Sequence, residues 1–190
     1  FIVVLAVLFD LLEADELNPF QNTNKKTLAE TPHEYLSVAG ESEIKALVQE
    51  LLQYPSVCFD TETTAIDAHT AELVGMSFAV KPAHAWYVHL PDNYHECQQL
   101  LRLFKPFFDN ESIEKIGQNL KYDITVLRWY DIEVKGPLFD TMIAHYLIEP
   151  DQRHNMDALA ENYLNYTPVS IETLIGKKGK NQGTMRDADP

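Results

Sequence analysis

The sequence predicts a single α/β domain organised around one buried strand that ends in acid. Three observations point there. The 190 residues are enough for one domain with a core, and a hydrophobic fraction of 45% is ordinary for a globular protein. Strand-like runs alternate with runs whose apolar residues recur at helical spacing. The stretch Val57-Cys58-Phe59-Asp60-Thr61-Glu62-Thr63 then leads from apolar residues straight into carboxylates.

In chain order, residues 1–32 have the composition of an N-terminal extension or linker. Phe1 to Leu8 is apolar, Glu13, Asp15 and Glu16 are acidic, and a polar stretch from Asn18 to Lys26 leads to Thr31-Pro32. The apolar run is too short for a membrane span, which needs roughly 20 residues. It also lacks an initiating Met, a basic flank and a small-residue cleavage site. The chain is therefore expected to be a piece of a larger protein, outside any membrane, with this run against a neighbouring surface or partner.

The domain proper is expected over residues 33–190. Tyr35 to Val38 reads as a short strand and Glu41 to Leu52 as an amphipathic helix stopped by Pro55. The acidic strand follows at 56–61. Leu73 to Val80 and Ala85 to Leu90, either side of Lys81-Pro82-Ala83-His84, complete an antiparallel three-stranded meander. A helix is expected from Cys97 to Phe108, a strand at Lys115 to Gly117 and a helix from Asn119 to Trp129. Another helix starts with Asp140 as its N-cap and is closed by Pro150, and Asn155 caps a last one over Met156 to Leu164. The basic run Lys177 to Gly183 reads either as a solvated loop or as a loop touching phosphate.

The chemistry is read from the acids. Alternate strand residues share a face, so Asp60 and Glu62 project together and each raises the other's cost of ionising. A cation relieves that repulsion, and hard oxygen ligands suit Mg²⁺ or Mn²⁺ better than zinc. The pair alone also fits a solvated strand end or a helix cap. Downstream, a helix over 119–129 sets Asn119, Asp123 and Leu127 on one stripe, where Asp123 could complete a metal site. The net charge of -14 opposes binding to long duplex DNA or an anionic membrane. Nucleic-acid contact would then be local, to a short single-stranded end held through metals. Cys58 and Cys97 read as thiols in a reducing cytoplasm, and the seven histidines show no zinc-binding spacing.

Five segments in order, Phe59-Asp60-Thr61-Glu62-Thr63, Gly117 to Asp123, Phe139-Asp140-Thr141-Met142, Arg153 to Ala160 and Gly179 to Gln182, give the chain a likeness from about Tyr35 onward. It resembles the 3′→5′ proofreading exonuclease domain of bacterial DNA polymerase I, in the DEDD superfamily. The resemblance implies an RNase H-like α/β fold, a mixed five-stranded sheet flanked by helices, and removal of nucleotides from a single-stranded 3′ end of DNA by two divalent ions, Mg²⁺ or Mn²⁺. It also implies a polymerase domain in the same full-length chain and a cytoplasmic setting.

By the same resemblance Asp60 bridges both metals, Glu62 binds the one that positions water, and Asp123 holds the second. Thr63 contacts the terminal nucleotide, Ile66 is an apolar wedge, and Gln118, Asn119 and Tyr122 line the strand-end pocket. Met142 and Arg153 lie near substrate, Arg153 on a phosphate. Tyr122, Met142 and Ile66 also read as plain packing residues. The family's fourth carboxylate belongs to a Tyr-x-x-x-Asp motif that does not occur before Asp189-Pro190, so weak Mg²⁺ binding and little hydrolysis are expected of this chain alone. The competing expectations are a catalytically silent module supporting the polymerase and an RNA exonuclease like RNase D.

Overall fold

A mixed sheet of six strands carries the structure. The computed structural model describes residues 25–177, 179 and 183–187. The strands are β1 (Glu34–Val38), β2 (Ser56–Thr63), β3 (Leu73–Lys81), β4 (His84–His89), β5 (Glu114–Gly117) and β6 (Leu138–Asp140), in spatial order β1-β4-β3-β2-β5-β6. The meander β2-β3-β4 is antiparallel, while β1 joins β4, β5 joins β2 and β6 joins β5 in parallel. Five strands were expected. The sixth, β6, falls where only a helix start was read, because its three residues are too few to show alternation and are held by pairing from Lys115↔Leu138 to Gly117↔Asp140.

The helices are α1 (Gly40–Leu51), α2 (Tyr94–Leu101), α3 (Lys105–Phe108), α4 (Leu120–Trp129), α5 (Thr141–Ile148), α6 (Met156–Tyr163) and α7 (Ile171–Ile175). In α1 the buried residues Ile44, Leu47, Val48 and Leu51 recur at helical spacing and face the core. The single helix expected over Cys97 to Phe108 is broken into α2, a 3₁₀ turn at Arg102–Phe104 and α3. Pro106 explains the break, since it has no N–H and clashes with the preceding turn. The start moves back to Tyr94 because the Asn93 side chain accepts from the amides of His95 and Glu96. Asn155 is at the N-cap of α6 but makes no side-chain cap bond.

Between sheet and helices lies a dry aromatic cluster. Phe78 stacks on Phe104 at 5.2 Å and Phe59 meets Phe108 edge-on at 5.4 Å, all four fully buried. On the other face, small residues Cys58, Ala79 and Ala85 pack with Ile116, Phe139 and Met156. Anchored on both faces, β2 delivers its acidic end at a fixed point. Both cysteines are free and buried.

Residues 1–24, which include the apolar Phe1 to Leu8 run, lie outside the described residues, as do Lys178, residues 180–182 of the basic run and Asp189. Lys26 forms a parallel bridge to Tyr166, donating its amide to Asn165 O at 2.8 Å. Among the described residues no helix is long and apolar enough to cross a membrane.

Candidate active site

The parallel pairing of β2, β5 and β6 sets their C-terminal ends side by side, and the acids gather there. Asp60 and Glu62 end β2, and Asp123 stands in the first turn of α4, which leaves β5 directly. Asp123 is buried, and its Oδ1 accepts from the Thr61 amide at 2.9 Å and the Thr61 hydroxyl at 2.6 Å. Thr61, facing away from its acidic neighbours, is thus the tie between the two acidic elements. The alternation of the strand places it there, but nothing in the sequence announces its partner.

The start of α4 departs from the expected stripe. Asn119 precedes the helix in the left-handed region, φ 63°, so it does not share a helical face with Asp123 and Leu127. Asn is one of the few residues that adopts this conformation at low cost. The turn it makes is secured by Asp140. One carboxylate accepts from Asn119 N at 3.0 Å and Leu120 N at 2.8 Å, and also from Met142 N at 2.9 Å and Ile143 N at 3.3 Å. Asp140 therefore caps α5, as the sequence predicts, and α4 as well, which it does not.

Electrostatically the three acids form one system. Burial pushes the carboxyls of Asp60, Glu62 and Asp123 upward, and repulsion adds to it: Glu62 on Asp60, Asp123 on Glu62, and Asp60 on Asp123. Glu62 is buried, and its Oε1 has no hydrogen-bond partner. Among the described residues no group of three or more His, Cys, Asp and Glu side chains forms a ready-made metal cage. Mg²⁺ does not require one, since it keeps several waters and takes one or two carboxylates with substrate phosphates. Three repelling carboxylates and an orphaned buried oxygen fit such an ion.

The repulsion makes stability pH-dependent. The folded state holds protons that the unfolded chain releases at the ordinary values of 3.8 and 4.5, up to about 8 for Asp60 and about 7 for Glu62. Stability from these groups is therefore full below about pH 4 and is lost as pH rises through about 8. In EDTA, Asp60→Asn is expected to melt roughly 5 °C above the native protein at pH 8 and nearly level with it at pH 4.5. A calorimetric difference that grows toward low pH would contradict this.

Around the acids, the hydroxyls of Thr63 and Tyr122 lie 2.5 Å apart, and both donate to the carbonyl of Ala65. This pins the loop after β2 and leaves Ile66 94% exposed, out of the core that the packing reading assigned it. Gln118 is buried and both ends of its amide are engaged: Nε2 donates to His154 O at 2.6 Å, and Oε1 accepts from the Thr141 hydroxyl. It ties the loop carrying exposed Arg153 to the end of β5. Met142 is half-buried in the first turn of α5. His145, missed in the sequence, bridges His154 at 2.7 Å and Tyr163 at 3.0 Å and braces the same loop.

Sheet order, flanking helices and the acidic strand end define an α/β protein of the RNase H-like class. Solved structures of similar fold include the catalytic core of RRP6 from Trypanosoma brucei, at a TM-score of 0.62 and 17% identity, covering 88% of this chain and 43% of that one. RNase D of Escherichia coli, an exoribonuclease, follows at 0.56 and 18%, covering 74% and 36%. The chain belongs to the 3′→5′ exonuclease family, whose model matches residues 35–188. DNA polymerase I of Pseudomonas aeruginosa is 36% identical over 181 residues, covering 90% of this chain and 20% of the relative. That of Borreliella burgdorferi is 31% identical over 166 residues, covering 86% and 17%. The chain thus spans about a fifth of the length of these curated relatives.

Proposed function

We propose that the domain is the proofreading module of a DNA polymerase I and hydrolyses the terminal phosphodiester at a single-stranded 3′ end of DNA. The observation that carries this is Asp123 tied through Thr61 to the strand end that bears Asp60 and Glu62, within a chain of the 3′→5′ exonuclease family. Two divalent ions, Mg²⁺ or Mn²⁺, held by these three carboxylates would supply an activated water and stabilise charge on the leaving oxygen. Asp60 and Glu62 provide the negative charge that recruits the ions, and Thr61 holds Asp123 in place for the second.

The surrounding residues orient the strand end. Thr63 and Tyr122 hold the loop so that exposed Ile66 can wedge against the last base. Asn119 lines the strand-end pocket, Met142 lies near the substrate, and Gln118 places the loop from which Arg153 reaches a phosphate. The acidic surface gives little affinity for duplex, so a polymerase domain of the same chain, in the cytoplasm, would grip the DNA and hand over a frayed end for replication and repair. Digestion of matched single strands by the full-length protein tests the assignment. DNA is expected to be shortened at least as fast as RNA, and a clear preference for RNA would defeat it.

A further inference from the structure

We infer that Tyr87 is a positioning residue for Glu62, its phenol crossing the neighbouring strand to hold the carboxylate for the metal. The inference rests on the metal-dependent reading above. Tyr87 on β4 pairs with Ser77 on β3, and Ser77 pairs with Asp60 on β2; one step along, His89 pairs with Gly75, and Gly75 with Glu62. Tyr87 thus shares the sheet face of the acids, one strand removed. The end of its ring lies against Gly75. A Cβ on Gly75 would fall 2.5 Å from Tyr87 Cζ and inside contact distance of its hydroxyl. Since Gly75 is the register partner of Glu62, β3 lacks a side chain where the phenol from β4 lies beside the position of that carboxylate.

Both groups are suited to such a contact. Glu62 Oε1 is buried and without a partner, while Tyr87 is only half-buried. The Glu62 charge, after burial, pushes the phenol up to about 12, which places the two groups within each other's field and keeps the hydroxyl a donor at neutral pH. Carboxylates that bind metals are commonly oriented by such a donor. The ring of Tyr87 is itself held edge-on by His89 at 4.8 Å, and His89 Nε2 lies 2.7 Å from the Ser37 hydroxyl. A row of side chains thus runs from Ser37 on β1 through His89 to Tyr87.

The test is Mn²⁺ binding, followed by the spectroscopic loss of free Mn²⁺, for the native chain, Asp60→Ala and Tyr87→Phe. The last keeps the ring on Gly75 and removes only the hydroxyl, so its melting temperature serves as the control for folding. Tyr87→Phe is expected to bind Mn²⁺ roughly 10–100-fold more weakly at an unchanged melting temperature. In the full-length protein it is expected to lower kcat with little change in KM for DNA. Native affinity in Tyr87→Phe, beside weakened binding in Asp60→Ala, would overturn this role alone. Equal binding by the native chain and Asp60→Ala would overturn the metal reading, and this role with it.

Discussion

Asp60→Ala in the full-length protein is expected to lower the rate of 3′-end removal by on the order of 10³-fold or more, with little change in KM for DNA. Asp60 interacts with both other acids: Glu62 repels it, and it repels Asp123. Removing it takes away charge shared by both proposed ion positions, whereas the strand end is proposed to be held by Thr63, Tyr122 and the Arg153 loop. Structure should survive, because the substitution relieves repulsion at a half-buried position. Single-turnover kinetics on a short single strand, with a melting curve as control, measures the effect. More than a tenth of native activity would remove Asp60 from the centre of the mechanism.

Asp140→Ala is expected to produce the largest loss of stability outside the aromatic core. Its carboxylate accepts from four backbone amides and secures the first turns of both α4 and α5. A single N-cap is worth about 1 kcal/mol and up to about 2, so losing two costs roughly 2–4 kcal/mol. For a domain of this size that lowers Tm by about 5–15 °C. Activity should fall too, because α4 carries Asp123 and begins with the left-handed turn at Asn119. Asp140→Asn, which keeps one acceptor oxygen, should recover part of the stability. Calorimetry decides it, and a shift below about 2 °C would mean that the amides find other partners.

The parts legible in the sequence are those governed by local pattern. The meander β2-β3-β4, the amphipathic α1 and the Asp140 cap on α5 follow from alternation, helical spacing and capping chemistry within a few residues. The elements that were not legible depend on partners far along the chain. β6 has β5 as its strand partner, from some twenty residues earlier, α4 is capped by a residue some twenty positions away, and the Thr61 bond to Asp123 spans 62 residues. Asn119 was placed on a helical face because periodicity carries no information about a left-handed turn. The glycine under Tyr87 is likewise explained only by the register of three strands. In the site, the acids could be picked out as a set, while the residues that hold them could not.

The central claim, metal-dependent removal of nucleotides from a 3′ end, is tested most directly by incubating the full-length protein with 5′-labelled single-stranded DNA in Mg²⁺ and in EDTA. The account predicts a ladder of products shortened stepwise from the 3′ end in Mg²⁺ and intact strand in EDTA. Undiminished cleavage in EDTA, release of the 5′ label as a mononucleotide at the outset, or an intact strand with Mg²⁺ and Mn²⁺ alike would contradict it.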